Sequence, residues 1–423
     1  MSRPRAAAMG TGARGTPPLS VNDQIDEVTR LLEAAAYFPI FNVHNPSIPN
    51  QTVPLLPVLG EQLFLAINVN ESLHRFEVVT HVGPQGMTAS NRMSREPIAE
   101  VHIRWTTMPD DFAPGPGLLP PPTILNPFRS QRFTMLNGQL SFNDRKVSGV
   151  QAFGSGRTFP VTVNGQPALN IGAVIDVLSG SGDLAGLPND TFPGATMVIN
   201  GFIQPPNDLA LNLILRVMDP TRQLAARGPV VPLVPSPASP DPGAVFMFFL
   251  GEVDPRRPVR PMFGPDGRPI GLQVFENLRQ VRVEYDIGTS ASLQSRTETG
   301  PVVGTVSTML YFDFQNPGSV IPVQTKGGVF SFHDPQGRSL GSVFANMVEG
   351  RAFRTYLPGA SRPVFRMGGF GPIRGGTGAL AGAAGMLSLN SVVSVTPSTL
   401  SNLYVFRFED PNGGLRTRLQ GFC

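Results

Sequence analysis

Apolar and polar residues alternate with a period of two along most of the chain from residue 62 onward, which predicts β-strands. The clearest runs cover 63–69, 74–82, 100–106, 169–178 and 196–203, and later 244–250, 280–287 and 302–314. Apolar residues recur at helical spacing over one stretch, from Ser20 as the predicted N-cap to a predicted end near Tyr37. The pattern therefore predicts an all-β protein with one short N-terminal helix.

Two glycine-rich stretches, called the glycine corners below, indicate an internal duplication. The sequence GSGDLAG at 180–186 recurs as GTGALAG at 376–382, and strands ending in an Asp-Pro pair follow each copy. Gly156-Arg157 recurs as Gly350-Arg351 in the same order. Offsets that stay between 190 and 196 residues are expected of a duplication whose loops have changed length. Because this period is too long for a solenoid repeat, each copy is predicted to be a whole domain with its own core.

The duplication divides the chain into five segments. We predict a flexible leader over 1–19, the helix and a connection over 20–59, a first barrel over 60–220, a proline-rich linker over 221–243 and a second barrel over 244–423. Each copy holds about eight strands, enough to close a small barrel and so remove exposed sheet edges. The predicted architecture is two tandem antiparallel eight-stranded β-barrels.

Composition and charge narrow the classes of partner. Of 423 residues, 46 are glycine and 44 proline, but 41% are hydrophobic and 28 are phenylalanine, which favours packed strands over disorder. The net charge is +3 without a block of lysine or arginine, so no nucleic acid is expected as a partner. No signal peptide and no apolar run of about 18 residues occur, so no membrane insertion is expected. The single cysteine, Cys423, excludes an intramolecular disulfide and favours a cytoplasmic location.

Motifs for bound groups are missing from the sequence as well. The five histidines lack the close pairing of a metal site, and one cysteine adds no second ligand. Neither glycine corner is followed by the Lys-Ser/Thr of a phosphate-binding loop, so both are predicted to be tight turns in which glycine supplies a positive φ. No Ser-His-Asp or nucleophile-elbow pattern occurs. We therefore expect no metal and no cofactor.

The second copy resembles a known family over its last strands. Its glycine corner lies within GGTGALAGAAG at 375–385, which is followed by the strand MLSLNSV and by LYVFRF at 403–408. This order resembles the carboxy-terminal half of the allene oxide cyclase and dirigent barrels, where a GGTG-containing corner precedes the last strands. The opening strand FMFFLGEVDP and the run Val303-Gly304-Thr305 are also similar to that family. The similarity is specific over these segments and loose over the rest of the copy.

The resemblance implies a barrel with an apolar cavity, in which a reactive intermediate is oriented and kept from water while it cyclises or couples. It therefore implies a cofactor-independent cyclase or isomerase of an apolar, natural-product or lipid-like molecule. An approximate alignment places Phe249 and Ala66 where the family has a glutamate that stabilises positive charge, and Thr308 near the position of its cysteine. Polar groups of a site must then come from other positions.

Candidate site residues lie in the second copy, which has the richer set of polar and aromatic side chains. The predicted catalytic contacts are Glu252, Tyr285 and Arg351. The side chains predicted to line the cavity and bind the substrate are Phe246, Phe248, Tyr311 and Phe406.

Two of these candidates have structural alternatives. Acidic residues just after a strand, such as Glu252 and Asp254, are also common turn formers. Arg351 repeats Arg157 of the first copy, so this arginine either binds a ligand or bonds backbone carbonyls at a corner in both copies.

Two classes of function therefore stay open. The first is the cofactor-independent cyclase or isomerase, with an apolar small molecule bound in one or both barrels. The alternative is a non-catalytic protein, either a carrier of a hydrophobic ligand or a structural and assembly protein. Divergence between the copies favours the second barrel as the active one and the first as its support, and the duplication is also compatible with a homo-oligomer.

Overall fold

A computed structural model describes most of the chain. The described residues are 30, 34–43, 51–55, 64–84, 86–107, 130–142, 149–204, 208–226, 228–237, 241, 243–286, 293–312, 318–357, 362–395 and 398–420. Only the backbone is described for 43, 51–55, 64–68, 105–107, 136, 204 and 208. The predicted leader over 1–19 and most of the predicted N-terminal helix lie outside the described residues.

The first half of the chain forms a nine-stranded antiparallel sheet. Its strands are β1 (Ala35–Val43), β2 (Gln51–Leu55), β3 (Phe64–Gly83), β4 (Gly86–Thr107), β5 (Arg132–Phe142), β6 (Gly149–Val163), β7 (Gln166–Ser181), β8 (Ala195–Gln204) and β9 (Asp208–Met218). They follow the order β1-β9-β8-β7-β6-β5-β4-β3-β2, and β1 pairs with β3 as well as with β9. The path of hydrogen-bonded strands therefore returns from β3 to β1.

The second half forms a ten-stranded antiparallel sheet with a similar strand order. Its elements are β10 (Ala244–Val253), β11 (Arg260–Phe263), β12 (Pro269–Asp286), β13 (Gln294–Tyr311), β14 (Val320–His333), β15 (Ser339–Ala345), β16 (Glu349–Tyr356), β17 (Pro363–Gly376), β18 (Gly385–Val395), β19 (Ser398–Glu409) and the helix α1 (Gly414–Gln420). Strand β10 pairs with both β19 and β12, just as β1 pairs with both β9 and β3. Two large antiparallel sheets confirm the all-β prediction.

The first sheet begins well before residue 60. The N–H of Ala34 donates to the carbonyl of Arg30 at 3.2 Å, as in a helix, and strand β1 starts directly afterwards. Phe38 faces the core of the first sheet, whereas Tyr37 packs into a cluster between the two sheets. Because both faces of β1 are buried, its residues are apolar without alternation. The predicted helix end near Tyr37 is therefore wrong, because Tyr37 lies in strand β1, which begins at Ala35.

The chain forms a helix after the last strand, where none was predicted. Helix α1 follows Asp410, whose carboxylate accepts hydrogen bonds from the N–H groups of Leu415 and Arg416 at 2.8 and 3.1 Å. Leu415 and Leu419 are buried, and a helix of seven residues is too short to show a clear helical period in the sequence. No helix among the described residues is long and apolar enough to cross a membrane.

Both glycine corners form the same turn. Gly182–Leu184 and Gly378–Leu380 are single turns of 3-10 helix whose first residues have φ values of 60° and 61°. The preceding residues, Ser181 and Thr377, both have ψ of 168°. A positive φ is accessible to glycine without strain, which accounts for glycine at this position in both copies. The corners are structurally equivalent, as a duplication requires.

The two sheets pack on each other through equivalent residues. Asn200 on β8 donates from Nδ2 to one carbonyl of β18 and one of β19, and Asn390 on β18 donates to one carbonyl of β8 and one of β9. The acceptors are Met386 and Val405 for Asn200, at 3.2 and 3.1 Å, and Thr196 and Ile214 for Asn390, at 2.9 and 3.3 Å. Since these acceptors correspond at repeat offsets of 190 and 191 residues, the contact is that of a twofold-symmetric dimer built within one chain.

Glycines allow the backbones of the two sheets to approach. A Cβ atom on Gly172 of β7 would lie 2.2 Å from the ring of Phe370, and one on Gly368 of β17 would lie 2.5 Å from Val174. Gly368 corresponds to Gly172, and Phe370 to Val174, at the same offset of 196 residues. This contact is therefore reciprocal as well, and it explains a glycine inside each of two strands.

Each sheet also contributes to the core of the other. Val82 and Met87, beside the turn between β3 and β4, belong to the core of the second sheet together with apolar residues of α1. Tyr285, near the end of β12, belongs to the core of the first sheet, where its ring meets that of Phe38 edge to face at 5.5 Å. The long hairpins therefore tie the two halves into a single packed unit.

The proline-rich linker lies against both sheets. Ala225 forms a bridge with Ser295 of β13, and Pro235 forms one with β4. The carboxylate of Asp241 accepts hydrogen bonds from Nε and Nη2 of the buried Arg407 at 3.1 and 2.8 Å. Charge-assisted bonds of this kind make the linker part of the packed structure.

Replacing Asn390 by leucine is expected to destabilise both halves together. The change leaves two buried carbonyls without their donor, which costs about 2–3 kcal/mol of unfolding free energy. Thermal unfolding followed by circular dichroism should show a lower midpoint and a single transition. Asn137→Leu, at an exposed position of β5, is the matched control. Equal midpoints for the two variants would show that the contact between the sheets does not support the fold.

Candidate functional site

The hydrophobic core that packs on one face of the second sheet, called its interior below, contains a small cavity beside a polar cluster. Alternate residues of its strands face inward, among them Val274 and Leu278 of β12. The cavity has a volume of about 20 Å³, which is room for about one water molecule. Eight apolar side chains, two threonines, Asn402 and Tyr404 line it.

Glu276 of β12 is the centre of the polar cluster, and its side chain is completely buried. Asn402 donates from Nδ2 to Oε1 of Glu276 at 2.8 Å, and the hydroxyl of Tyr404 donates to Oε2. The amide of Asn402 also lies 3.0 Å from the hydroxyl of Tyr404, and Ser391 donates its hydroxyl to Oδ1 of Asn402. Strands β12, β18 and β19 thus bring four polar side chains together in an apolar interior.

Gly251 of β10 makes room for this carboxylate. A Cβ atom at this position would lie 2.3 Å from Oε1 of Glu276 and 2.7 Å from Cε2 of Tyr404. A side chain of any size would therefore displace the cluster. Among the residues that the structure describes, no three His, Cys, Asp or Glu side chains are grouped so that they could hold a metal ion.

Burial raises the pKa of Glu276 to about 7, although the hydrogen bonds from Tyr404 and Asn402 favour the ionised form and act in the opposite direction. Burial and the neighbouring carboxylate raise the pKa of Tyr404 well above its usual value, so its hydroxyl keeps its proton. Near neutral pH the carboxyl of Glu276 exists in both protonation states, which suits a group that accepts a proton and then donates it.

Glu252, a predicted catalytic contact, lies outside this cluster. Its neighbour Gly251 faces inward, so strand alternation places Glu252 on the outer face, where its carboxylate pairs with Nε of Arg279 at 2.5 Å. Asp254 forms a turn instead of a site, since its carboxylate pairs with Nε of Arg257 at 2.8 Å. The turn-forming alternative therefore describes Asp254.

Tyr285 and Arg351, the other two predicted catalytic contacts, both contact residues of the first sheet. Tyr285 is buried in the core of the first sheet. Arg351 donates from Nε to the hydroxyl of Ser155 at 3.2 Å, and Arg157 pairs with Glu349 at 3.2 Å. Ser155 and Glu349 correspond at the same offset of 194 residues as the two arginines. The symmetric contact therefore accounts for the duplicated arginine, and neither arginine lines the cavity described above.

The four aromatic residues predicted to line the cavity occupy three different environments. Phe246 and Phe248 belong to the cluster between the sheets, so their prediction as cavity residues is wrong. Tyr311 lies on the outer face, where the ammonium group of a lysine is 5.0 Å from its ring centroid. Phe406 lies in the interior of the second sheet, within a packed aromatic group. The run AVFMFFL is apolar on both faces, so the sequence pattern cannot show that Phe249 is the inward residue.

The first sheet has a buried carboxylate at the corresponding position, but its strand β9 differs from β19. Glu71 of β3 is buried and corresponds to Glu276, because β3 pairs with β1 as β12 pairs with β10. On β9, leucines stand at both positions that hold the hydrogen-bond donors of β19, namely Leu211 and Leu213. The polar cluster is thus a feature of the second sheet.

Glu276 is absent from the predicted set, although the sequence contains a signal for it. Val274, Glu276 and Leu278 occupy alternate positions just before the strand predicted over 280–287, and the observed strand β12 begins early enough to include them, which places the carboxylate on its apolar face. A carboxylate on such a face is rare unless it is paired, so it marks a candidate site. Asn402 and Tyr404 carry no comparable signal, since they are found only through their contacts with Glu276.

Comparison with known proteins adds no family to this picture. No protein-family model, no curated protein and no solved structure matches the chain. The resemblance to the allene oxide cyclase and dirigent family therefore stays a prediction.

The free energy of unfolding is expected to fall as pH rises through 7, because of Glu276. Its carboxyl has a pKa of about 7 in the folded protein against an ordinary value of 4.5. The raised pKa means that the folded state holds the proton more tightly. The stabilisation is thus complete below about pH 4.5 and is lost as pH rises through the folded pKa, by about 3 kcal/mol in all.

Thermal midpoints from about pH 5 to about pH 9 measure this effect. Relative to Glu276→Gln, the unmodified protein should lose stability with increasing pH, whereas Glu298→Gln, at an exposed carboxylate, should follow the unmodified protein. Parallel profiles for the unmodified protein and Glu276→Gln would contradict the assignment of this titration to Glu276.

Gly251→Ala is expected to lower the free energy of unfolding by about 1–3 kcal/mol, because the new methyl group overlaps the carboxylate of Glu276 and the ring of Tyr404. Gly228→Ala is the matched control, since a Cβ atom at that position meets nothing within 4 Å. Chemical unfolding of both variants gives the comparison. Equal stabilities would mean that the cluster tolerates a side chain at this position.

Proposed function

We propose that the chain is a cofactor-independent isomerase or cyclase of an apolar small molecule, and that each sheet closes into an eight-stranded barrel with the reaction inside the second. Closure is supported by the pairing of β1 with both β9 and β3 and of β10 with both β19 and β12. The observation that carries the function is the buried carboxyl of Glu276, which lies directly behind the cavity wall, bonded to two of the side chains that line the cavity, Asn402 and Tyr404.

The proposed chemistry is the movement of a double bond by proton transfer. Ionised Glu276 removes a proton from a carbon next to the carbonyl group of the substrate, and the electron pair of that C–H bond forms an enolate. The hydroxyl of Tyr404 and the amide of Asn402 donate to the carboxylate of Glu276 before the reaction. Once Glu276 carries the proton, both donors turn to the enolate oxygen, which accepts their hydrogen bonds. Protonated Glu276 then returns the proton to a different carbon. No atom is gained or lost, so the reaction needs no cofactor.

The roles first assigned to Glu252, Tyr285 and Arg351 pass to other residues in this proposal. Glu276 transfers the proton, Tyr404 and Asn402 stabilise the oxyanion, and Ser391 orients the amide of Asn402 through its hydroxyl. The apolar walls exclude water, which strengthens each of these electrostatic contacts.

A second candidate function is that of a rigid structural unit without a ligand. It is favoured by the size of the cavity, about 20 Å³, whereas pockets for small molecules usually measure about 300–1,000 Å³. The extensive symmetric contact between the sheets serves such a role equally well. In that case Glu276 and its partners are a buried polar network that specifies one arrangement of the core.

Isomerisation of a small unsaturated ketone separates the two candidates. The full chain in D2O is incubated with cyclohex-3-en-1-one and followed by NMR for conversion to the conjugated ketone. We expect turnover that Glu276→Gln reduces by about 100-fold or more, since it removes the base, and that Glu298→Gln leaves unchanged. If the unmodified protein is no faster than Glu276→Gln for this ketone and its open-chain analogues, the isomerase proposal is wrong and the structural function is favoured.

A further inference from the structure

One end of the second sheet is closed by packed side chains. Helix α1 and the turn between β3 and β4 cover the end where β10 begins and β19 ends. A Cβ atom on Gly86 of that turn would lie 2.2 Å from the carbonyl oxygen of Leu419, so the two elements are in direct contact. A ligand of the second sheet would therefore enter at the opposite end, where β13, β16 and β18 end.

At this opposite end an aromatic pair lies between the cavity and the strand ends. Leu310 and Met367 line the cavity, and Phe312 and Phe365 stand at the next inward position on the side of the strand ends. The two rings meet edge to face, with centroids 5.6 Å apart. Phe312 and Phe365 are 4% and 2% exposed. They form an apolar layer that separates the cavity from the end of the sheet.

The side chains around the cavity suit an uncharged ligand. None of the described residues that line it is lysine, arginine or histidine. The hydroxyls of Thr308 and Thr325 are already bonded to backbone groups, at 3.3 and 2.7 Å. An anion placed here would lose its hydration without gaining a counter-charge, which is unfavourable. A cation would find only the carboxyl of Glu276, which lies behind Asn402 and Tyr404 and is already bonded to both. The polar contacts for one carbonyl or hydroxyl group are Asn402 and Tyr404, which both donate to Glu276, so a ligand group takes the place of one of these bonds.

We propose that the second sheet binds an uncharged, mainly hydrocarbon ligand with one carbonyl or hydroxyl group, which enters between Phe312 and Phe365. This inference rests on the proposed function, since it assigns a ligand class and an entrance to the same site. The cavity of about 20 Å³ has room for about one water molecule, so rotation of the two rings away from each other both enlarges the cavity and connects it with the end of the sheet. The pair is then a gate, closed in this structure, and the rate of binding depends on its opening.

Fluorine NMR of two matched probes tests the gate in the full chain. 4-Fluorotoluene and 4-fluorobenzoate have similar size and differ in charge. Phe312→Ala and Phe365→Ala should each speed the association of 4-fluorotoluene by about tenfold or more over the unmodified protein, and neither variant should bind 4-fluorobenzoate. Phe344→Ala, at a residue that is 40% exposed on β15, should behave as the unmodified protein. Phe312→Leu and Phe365→Leu provide milder variants with the same expected direction if an alanine variant does not fold.

Unchanged association rates in folded gate variants, absence of 4-fluorotoluene binding, or equally tight binding of 4-fluorobenzoate would each overturn the inference. Because 4-fluorotoluene has no carbonyl group, its binding does not depend on proton transfer and should persist in Glu276→Gln. Retained probe binding without isomerisation of ketones would refute the proposed function and leave the gate intact. Isomerisation that is indifferent to the gate variants would refute the gate alone.

Discussion

The close packing of the two sheets on each other is the constraint on which the rest of this structure depends. Strands β7 and β17 approach so closely that Gly172 and Gly368 have no room for a side chain. Polar groups buried by this contact need partners across it, and Asn200 and Asn390 find them in backbone carbonyls. Arg216 likewise donates to a carbonyl of β19 at 2.8 Å, and its burial lowers the pKa of the guanidinium group. The contact therefore has the character of a domain core.

The contact between the two sheets is symmetric in its backbone, but at one pair of corresponding positions the two sheets carry opposite charges. Glu77 and Arg282 correspond in the two copies and pair with each other at 2.8 Å. In a pairing of two second copies, arginine would face arginine, so this charge difference favours the pairing within one chain. The two cores differ as well, because Glu71 and Glu276 are both buried while β9 has Leu211 and Leu213 where β19 has Asn402 and Tyr404. The two halves thus share a framework, and the cluster of Glu276, Asn402 and Tyr404 belongs to the second.

The chemistry proposed for Glu276 and the closed interior have the same physical origin. Close packing of side chains leaves a cavity of only about 20 Å³. The same packing keeps water away from Glu276, which raises the pKa of its carboxyl to about 7. A carboxyl in contact with water would be ionised at neutral pH and would return a proton less readily. Such a site needs an entrance for the ligand that keeps water out while the reaction proceeds. The aromatic pair of Phe312 and Phe365 lies between the cavity and the end of the sheet, where the proposed entrance is. The same closed packing would serve a purely structural protein.

Local chemistry along the chain is enough to establish the all-β class, the duplication and the equivalence of the glycine corners. Alternation along a strand and positive φ at a turn are requirements that each segment meets by itself. The sequence does not show which residues of β1 and β10 face the core of their own sheet and which face the other sheet. Both sides of these strands are buried, and Phe246, Phe248 and Phe249 are equally apolar. Nor does the sequence predict that Glu276 contacts Asn402 and Tyr404, which lie 126 and 128 residues away along the chain. Packing alone decides which side chains leave water together, and burial then sets the pKa of the carboxyl and the size of the cavity beside it.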